Sequence, residues 1–379
     1  MSSVDKQSYC PFCSLFDPLI LKVPDPKAAY FTRNSLLKID YPTEPNYGLC
    51  PRGNYSVYLI DDNKRAYSGF IGRRPASAFE VISYAVEKLK DVQGKKGAIL
   101  IDGGLSLDEA YLIVELAKLL KIGCVALNPV EDELIGRNVS FSHFERERIL
   151  EGDFILIFGD PFESNPTIAK QILDAKFKSR LTRIIVVSSY PSKTSEHATG
   201  FIEILAGSDA IFALGLLKAV EGESFKKEAE ICGVEVREIG AVVESLRNAR
   251  KPFIILSAVC GQTFGIGELA GLLSKVAEKT ETQILPLTQA RNSIGISKII
   301  DNATLKGNEY LRELMSKGEL DYLISFGVNP SIVIPQETLQ KLEFVVEANW
   351  FIPEPNDIKN YLFIPIATSL ESKGIGINS

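Results

Sequence analysis

The sequence has no apolar run approaching the roughly 20 residues that a membrane-spanning helix needs. Its first residues, MSSVDKQSYC, carry no hydrophobic signal core, so the expectation is a cytoplasmic protein without a membrane span. Cysteine is sparse. Six in 379 residues cannot build a disulfide scaffold. Histidine is sparser: His143 and His197 are the only two, and both read as surface or loop residues. Excess positive charge is missing too. There are 42 Lys and Arg against 48 Asp and Glu, a formal net charge of -6, which excludes a basic groove for nucleic acid. Low-complexity segments and short-period repeats are absent.

What remains is a globular composition, 45% hydrophobic and 24% charged, of a length that suggests two or three domains. Residues 1–54 hold three of the six cysteines and many turn formers, among them Pro42, Pro45, Gly48, Pro51 and Gly53. They read as a small irregular module. From about residue 79, apolar runs alternate with amphipathic helices. GAILIDGG, CVALN, FILIFGD, TRIIVVSS, KPFIILSAVCG, QILPLT, LDYLISFGVNP, KLEFVVEAN and NYLFIPIA read as strands. SLDEAYLIVELAKLLKIG reads as a helix with Ser106 or Asp108 as N-cap and Gly123 at its end. Strands without in/out alternation, separated by helices, predict parallel sheets covered on both faces. The fold class is α/β.

Cys10 and Cys13 form a C-x2-C, Asp17 follows, and Cys50 stands alone in GLCPRG. In a reducing compartment such a pair is metal-binding or redox-active. Zinc would want a second close pair, which is missing. A dithiol redox motif would sit at a helix start inside a βαβ unit, whereas this one precedes the α/β pattern. An iron–sulfur cubane takes ligands from one loop plus one remote residue. Cys10, Cys13, Asp17 and Cys50 have that arrangement if Asp17 serves as a carboxylate ligand. Burial of the thiols as small hydrophobes is the remaining reading.

CPFCSLFDPLILKV followed by GLCPRG resembles the N-terminal module of the molybdopterin oxidoreductases. ILEGDFILIFGDPFESNPTIAKQILDAK is similar to the family stretch in which a strand delivers a turn to the pterin nucleotide. ILAGSDAIFALGLL, LISFGVNPSIVIP and IPIATSLESKGIGINS resemble three further family segments. The short opening and the length are most similar to the family's member in formylmethanofuran dehydrogenase; the large iron–sulfur subunit of complex I belongs to the same family. The resemblance implies two Rossmann-like domains after a cluster module at 1–54. One is discontinuous, 55–128 with 251–379, and the other, 129–250, is inserted in it. It implies a 4Fe–4S cluster on Cys10, Cys13, Asp17 and Cys50, with Arg52 between cluster and pterin. It implies contacts to molybdopterin guanine dinucleotide, carrying molybdenum or tungsten, from Gly159, Asn165, Gly207, Asp209, Gly327 and Asn329. The family's C-terminal barrel domain has no counterpart here.

The departures also matter. Asp17 replaces the third cluster cysteine, and a carboxylate is a harder, more exchangeable ligand. Cys124 falls too early for the family's molybdenum ligand and reads as a core residue. The run Glu131-Asp132-Glu133 lies near the right place but reads as a solvated acidic turn. Ser189 and Ser192 replace the Asp and Arg of a guanine-binding motif. The expected function is an electron-transfer iron–sulfur subunit of a multi-subunit oxidoreductase, partnered by other iron–sulfur proteins, with a vestigial pterin site. The alternatives are a catalytic molybdenum- or tungsten-pterin subunit of formylmethanofuran- or formate-dehydrogenase type, and a cofactor-free structural subunit.

Overall fold

The computed structural model describes residues 4–23, 38–42, 48–92, 94–140, 146–179, 181–258, 265–353, 358 and 360–376. His143 lies outside them. The strands in chain order are β1 (Val4–Tyr9), β2 (Pro18–Val23), β3 (Lys38–Asp40), β4 (Gly69–Ile71), β5 (Arg74–Ala76), β6 (Gly97–Asp102), β7 (Val125–Asn128), β8 (Phe154–Phe158), β9 (Arg183–Ser188), β10 (Gly200–Glu203), β11 (Pro252–Ser257), β12 (Gln283–Leu287), β13 (Tyr322–Phe326), β14 (Phe344–Asn349) and β15 (Tyr361–Pro365).

The chain divides into two compact units. Unit 1 comprises Met1–Phe12, Phe16–Glu133 and Ala290–Ile377. Its main sheet has the order β5-β4-β15-β14-β13-β6-β7. The last five of these strands are mutually parallel, and β4 and β5 add an antiparallel edge. Both faces are buried, which is why the strands read as unbroken apolar runs. Ile99, Ile101, Val125 and Ile324 meet the helices Ala78–Asp91 and Leu107–Leu120 on one face. Ala98, Leu100, Leu323 and Val345 line the other. The N-terminal residues are less irregular than expected: β1, β2 and β3 make an antiparallel sheet with a minor core of Cys10, Leu19 and Leu21.

Unit 2 comprises Cys13–Leu15 and Leu134–Gln289, together with the last two residues. Its five parallel strands have the order β10-β9-β8-β11-β12. The expected insertion ended at 250, but β11 and β12 pair in register with β8 and each other, so the boundary falls at Gln289.

The helix Leu107–Leu120 starts on Ser106, whose hydroxyl accepts the Glu109 N–H at 3.2 Å, and Glu109 completes the capping box. It stops at Lys121, in the left-handed region at φ 58°, not at Gly123.

The acidic run corrects another expectation. Glu131 is exposed, but Asp132 is 0% and Glu133 2% exposed. Asp132 accepts the Ala290 N–H at 2.8 Å and the Ser293 hydroxyl at 2.7 Å. Glu133 accepts the N–H of Leu127 at 2.8 Å and that of Asn308 at 3.0 Å, and also takes the Asn308 side-chain amide at 2.6 Å. The two carboxylates thus satisfy donors at the starts of the helices Ser293–Asn302 and Asn308–Ser316.

Removing Glu133 would orphan three buried donors. Glu133→Ala is expected to lower unfolding free energy by about 3 kcal/mol or more, whereas Glu131→Ala should stay within about 0.5 kcal/mol. Urea titration of the two variants checks this; equal, small shifts would mean that the Glu133 bonds carry no stability.

Candidate functional site

Open parallel sheets bind ligands beyond the carboxyl ends of their strands, where the winding direction reverses. Each unit has one such point. In unit 1 it lies between β6 and β13, because β6 is followed outward by β7 and β13 by β14 and β15. In unit 2 it lies between β8 and β11.

At the unit 1 point, β6 ends in Asp102-Gly103-Gly104. Gly103 permits close packing, since a Cβ there would lie 2.1 Å from the Ser293 hydroxyl. The Asp102 carboxylate accepts the Gly104 N–H at 2.6 Å. Burial pushes its pKa up to about 6, against the opposing pull of that N–H and of the Arg291 charge. Arg291 donates from Nε to the Gly104 carbonyl at 2.8 Å and sits 5.8 Å from the centre of the Phe16 ring. Burial lowers its pKa; Glu109, Asp102 and Cys10 act the other way. Among the described residues only Nε of this guanidinium is hydrogen-bonded.

β13 ends at Gly327, at φ 73°. A Cβ at that position would stand 2.9 Å from the Asp102 Cβ and 3.2 Å from the Trp350 ring. Asn329 uses its side-chain oxygen to cap the turn Pro330–Val333, accepting the Ser331 N–H at 3.0 Å.

The start of the helix Leu107–Leu120, the usual phosphate position after such a turn, is filled by the chain itself. Leu107 N–H bonds to the Ile375 carbonyl at 2.9 Å, and Ile375 N–H to Asp108 at 3.1 Å. Gly374 is required there, because a Cβ would come within 2.3 Å of the Ser106 Cβ.

At the unit 2 point, Gly159 turns at φ 86° directly after β8. Asp160 is buried and receives the Thr194 hydroxyl. Ser164 and Ser257 share a hydrogen bond of 2.9 Å between their hydroxyls. Asn165, wholly buried, donates to the Thr288 carbonyl at 3.1 Å, and its side-chain oxygen has no partner among the described residues. A buried acceptor left unsatisfied costs free energy that a ligand donor would recover. Gly207 and buried Asp209 lie one loop away, after β10, at the start of the helix Asp209–Glu221.

The cysteine segment behaves differently. Cys10 N–H bonds to the Asp17 carbonyl at 2.8 Å, closing a loop that puts Phe16 at φ 50°. Cys10, Cys13 and Asp17 are buried, and Cys50 is half-buried at the start of the short helix Pro51–Asn54. A Cβ on Gly53 would lie 3.3 Å from the Cys10 sulfur, so Cys10 adjoins the helix that Cys50 opens. Cys13 packs in a core cluster with Leu15, Ile157 and Leu287. Among the described residues, no group of three or more His, Cys, Asp or Glu side chains is placed to hold a metal ion. Arg52 is exposed on its short helix. The half-buried cation near Cys10 is Arg291, which sequence reasoning misses because no local pattern marks it. Cys124 is a core residue, as expected, with its thiol 3.7 Å from the Gly307 carbonyl. His197 is exposed.

No family model matches the chain. It is 23% identical over 360 residues to NADH-quinone oxidoreductase subunit 3 of Thermus thermophilus, covering 87% of this chain and 42% of that protein. The fold is similar to that of acetylene hydratase from Pelobacter acetylenicus. The TM-score is 0.66 at 12% identity, over 92% of this chain and 61% of that one. It is also similar to the formyltransferase/hydrolase complex FhcABCD from Methylorubrum extorquens, solved with methylofuran. There the TM-score is 0.55 at 13% identity, over 79% of this chain and 87% of that one. The chain thus spans less than half the length of the curated relative. Among the described residues no helix is long and apolar enough to cross a membrane.

Asp102 favours its protonated form in the fold. Its pKa of about 6 lies above the ordinary 3.8, so this contribution is present below about pH 3.8 and lost as pH rises through 6. Asp102→Asn keeps an acceptor for Gly104. The variant is expected to gain on the native protein between pH 4 and 7, by roughly 3 kcal/mol at most. Parallel unfolding curves at the two pH values would show instead that Asp102 titrates normally.

Proposed function

We propose that this chain is a pterin-nucleotide-binding subunit of a multi-subunit oxidoreductase of the molybdopterin type, most similar in role to the formylmethanofuran dehydrogenase subunit it resembles in sequence. One observation carries the reading: each unit has a single winding reversal, and at each of them one strand, β8 or β13, exits through a left-handed glycine, Gly159 or Gly327. Each crevice, taken by itself, has the place and turn geometry that suit a nucleotide-like group. In unit 2 the residues that would hold it are Gly159, Asp160 and Asn165, with Gly207 and Asp209 beside them, and the unpartnered Asn165 oxygen offers an acceptor to it. In unit 1 they are Gly327, Asn329 and Arg291, the guanidinium supplying the positive charge that the occupied helix start does not. When bound, such a pterin supplies the two-electron chemistry of its metal; the chain's residues bind and orient it. The sequence likeness to a subunit of NADH-quinone oxidoreductase supports a redox role within an assembly of several chains, and the fold also occurs in the multi-chain complex FhcABCD.

A second reading, an electron-carrying subunit with an empty pterin site, draws on Asp132 and Glu133. Both carboxylates are engaged with helix starts, so neither is free to ligate a pterin-bound metal. In that reading Cys10, Cys13, Asp17 and Cys50 would hold a 4Fe–4S cluster. A third, purely structural role would leave these thiols without use.

Metal and pterin analysis of the native complex separates the three. Pterin with molybdenum or tungsten is the expected result, and Asn165→Leu should then retain less pterin by about tenfold or more, a loss equal to about 1.4 kcal/mol. Iron without pterin would favour the second reading, and neither would favour the third.

A further inference from the structure

The chain's one tryptophan stands at the unit 1 crevice. Trp350 follows β14, and its backbone is held from both sides. Its N–H donates to the Asn349 side-chain oxygen at 2.8 Å. Its carbonyl accepts the Ala66 N–H at 2.9 Å and the Arg65 guanidinium at 2.8 Å. Arg65 is buried, pairs with Glu371 and also bonds to the Ile366 carbonyl. Asn349 gives its amide to Glu347 at 2.9 Å, and that buried carboxyl also receives the Tyr361 hydroxyl. These bonds fix the backbone from which the Trp350 side chain projects.

The ring edge lies against Gly327, where a Cβ would meet Trp350 Cζ3 at 3.2 Å and Cη2 at 3.4 Å. Any larger residue than glycine would push the ring away from the floor of the crevice. Asp102 flanks the same glycine. Trp350 as a residue is half-buried. A partly exposed aromatic residue on an anchored backbone, packed on a glycine beside polar groups, is an arrangement that stacks a flat heteroaromatic ring.

We propose that Trp350 is the stacking wall for a fused heteroaromatic ring, purine or pterin, in the unit 1 crevice. The proposal rests on the reading of this crevice as a pterin-nucleotide site. Stacking gains free energy from any such ring, so Trp350 contributes affinity while the polar groups around it select the ring.

The native protein, freed of bound pterin, would be titrated separately with GDP and with neopterin. Binding is read by calorimetry and by the fluorescence of the single tryptophan. The expected result is binding of at least one probe with quenching of Trp350. The probe that binds identifies the ring as purine or pterin. Trp350→Phe keeps a stacking ring and should bind within about threefold, whereas Trp350→Leu should weaken binding about tenfold. The melting temperatures of both variants show that each is folded. Calorimetric binding without quenching, and with equal affinity in the Leu variant, would overturn the stacking role and leave the site reading intact. Failure of both probes to bind at millimolar concentration would overturn the site reading and the proposal with it.

Discussion

Two adjacent carboxylates, Asp132 and Glu133, hold unit 1 together across a break in its sequence. They leave β7 and turn inward, and the donors they satisfy across that break belong to residues 290–308. Those residues begin the return of the chain after the long excursion through unit 2. Charged hydrogen bonds in a buried setting are the stronger kind, and these are the fixed points from which the two returning helices start. The close approach of Gly103 to Ser293, and so the shape of the β6 turn, follows from them. Arg291 sits between the two anchor points of Asp132, which places its guanidinium beside Asp102 and Gly104.

The two crevices share a design but not a charge. In unit 1, Arg291 works against the upward shift of Asp102, and the charges of Glu109 and Asp102 work against the downward shift of Arg291. A carboxyl that titrates near 6 lets the net charge there change within the physiological range. In unit 2 the polar lining around the Asp160 carboxylate is built from the neutral groups Ser164, Ser257, Asn165 and Thr194, with Asp209 one loop away. A ligand group held in unit 1 would meet charge, and one held in unit 2 would meet hydroxyls and an amide.

Much of the fold was legible because parallel strands buried on both faces are continuous apolar runs, and each of the nine expected runs contains one. What could not be read was which strand pairs with which. β11 and β12 look like any parallel strand; only their register with β8 assigns them to unit 2. β1 escapes a pattern search because VDKQSY is mostly polar, and its hydrogen bonds to β2 rather than its composition make it a strand. Asp132 and Glu133 mislead for the converse reason: three acidic residues in a row resemble a solvated turn, and the donors that bury them lie some 160–175 residues away. Asn165 and Gly327 were visible as turn residues after strands. Arg291 and Trp350 were not, since their placement comes from distant backbone contacts that leave no local trace.

Unit 1 encloses unit 2 in the sequence, and its last pieces are also its central ones. β6 has β7 on one side, but its other neighbour is β13, which begins at Tyr322. The first turn of the helix after β6 waits longer still, for Ile375. During translation at roughly 5–20 residues per second, β6 would stand with one apolar edge open for roughly 10–45 s. The main run of unit 2, Leu134 to Gln289, is synthesised within that interval. The order of synthesis therefore makes the inner unit first and leaves the outer one as a half-built sheet, a nascent chain suited to capture by a chaperone.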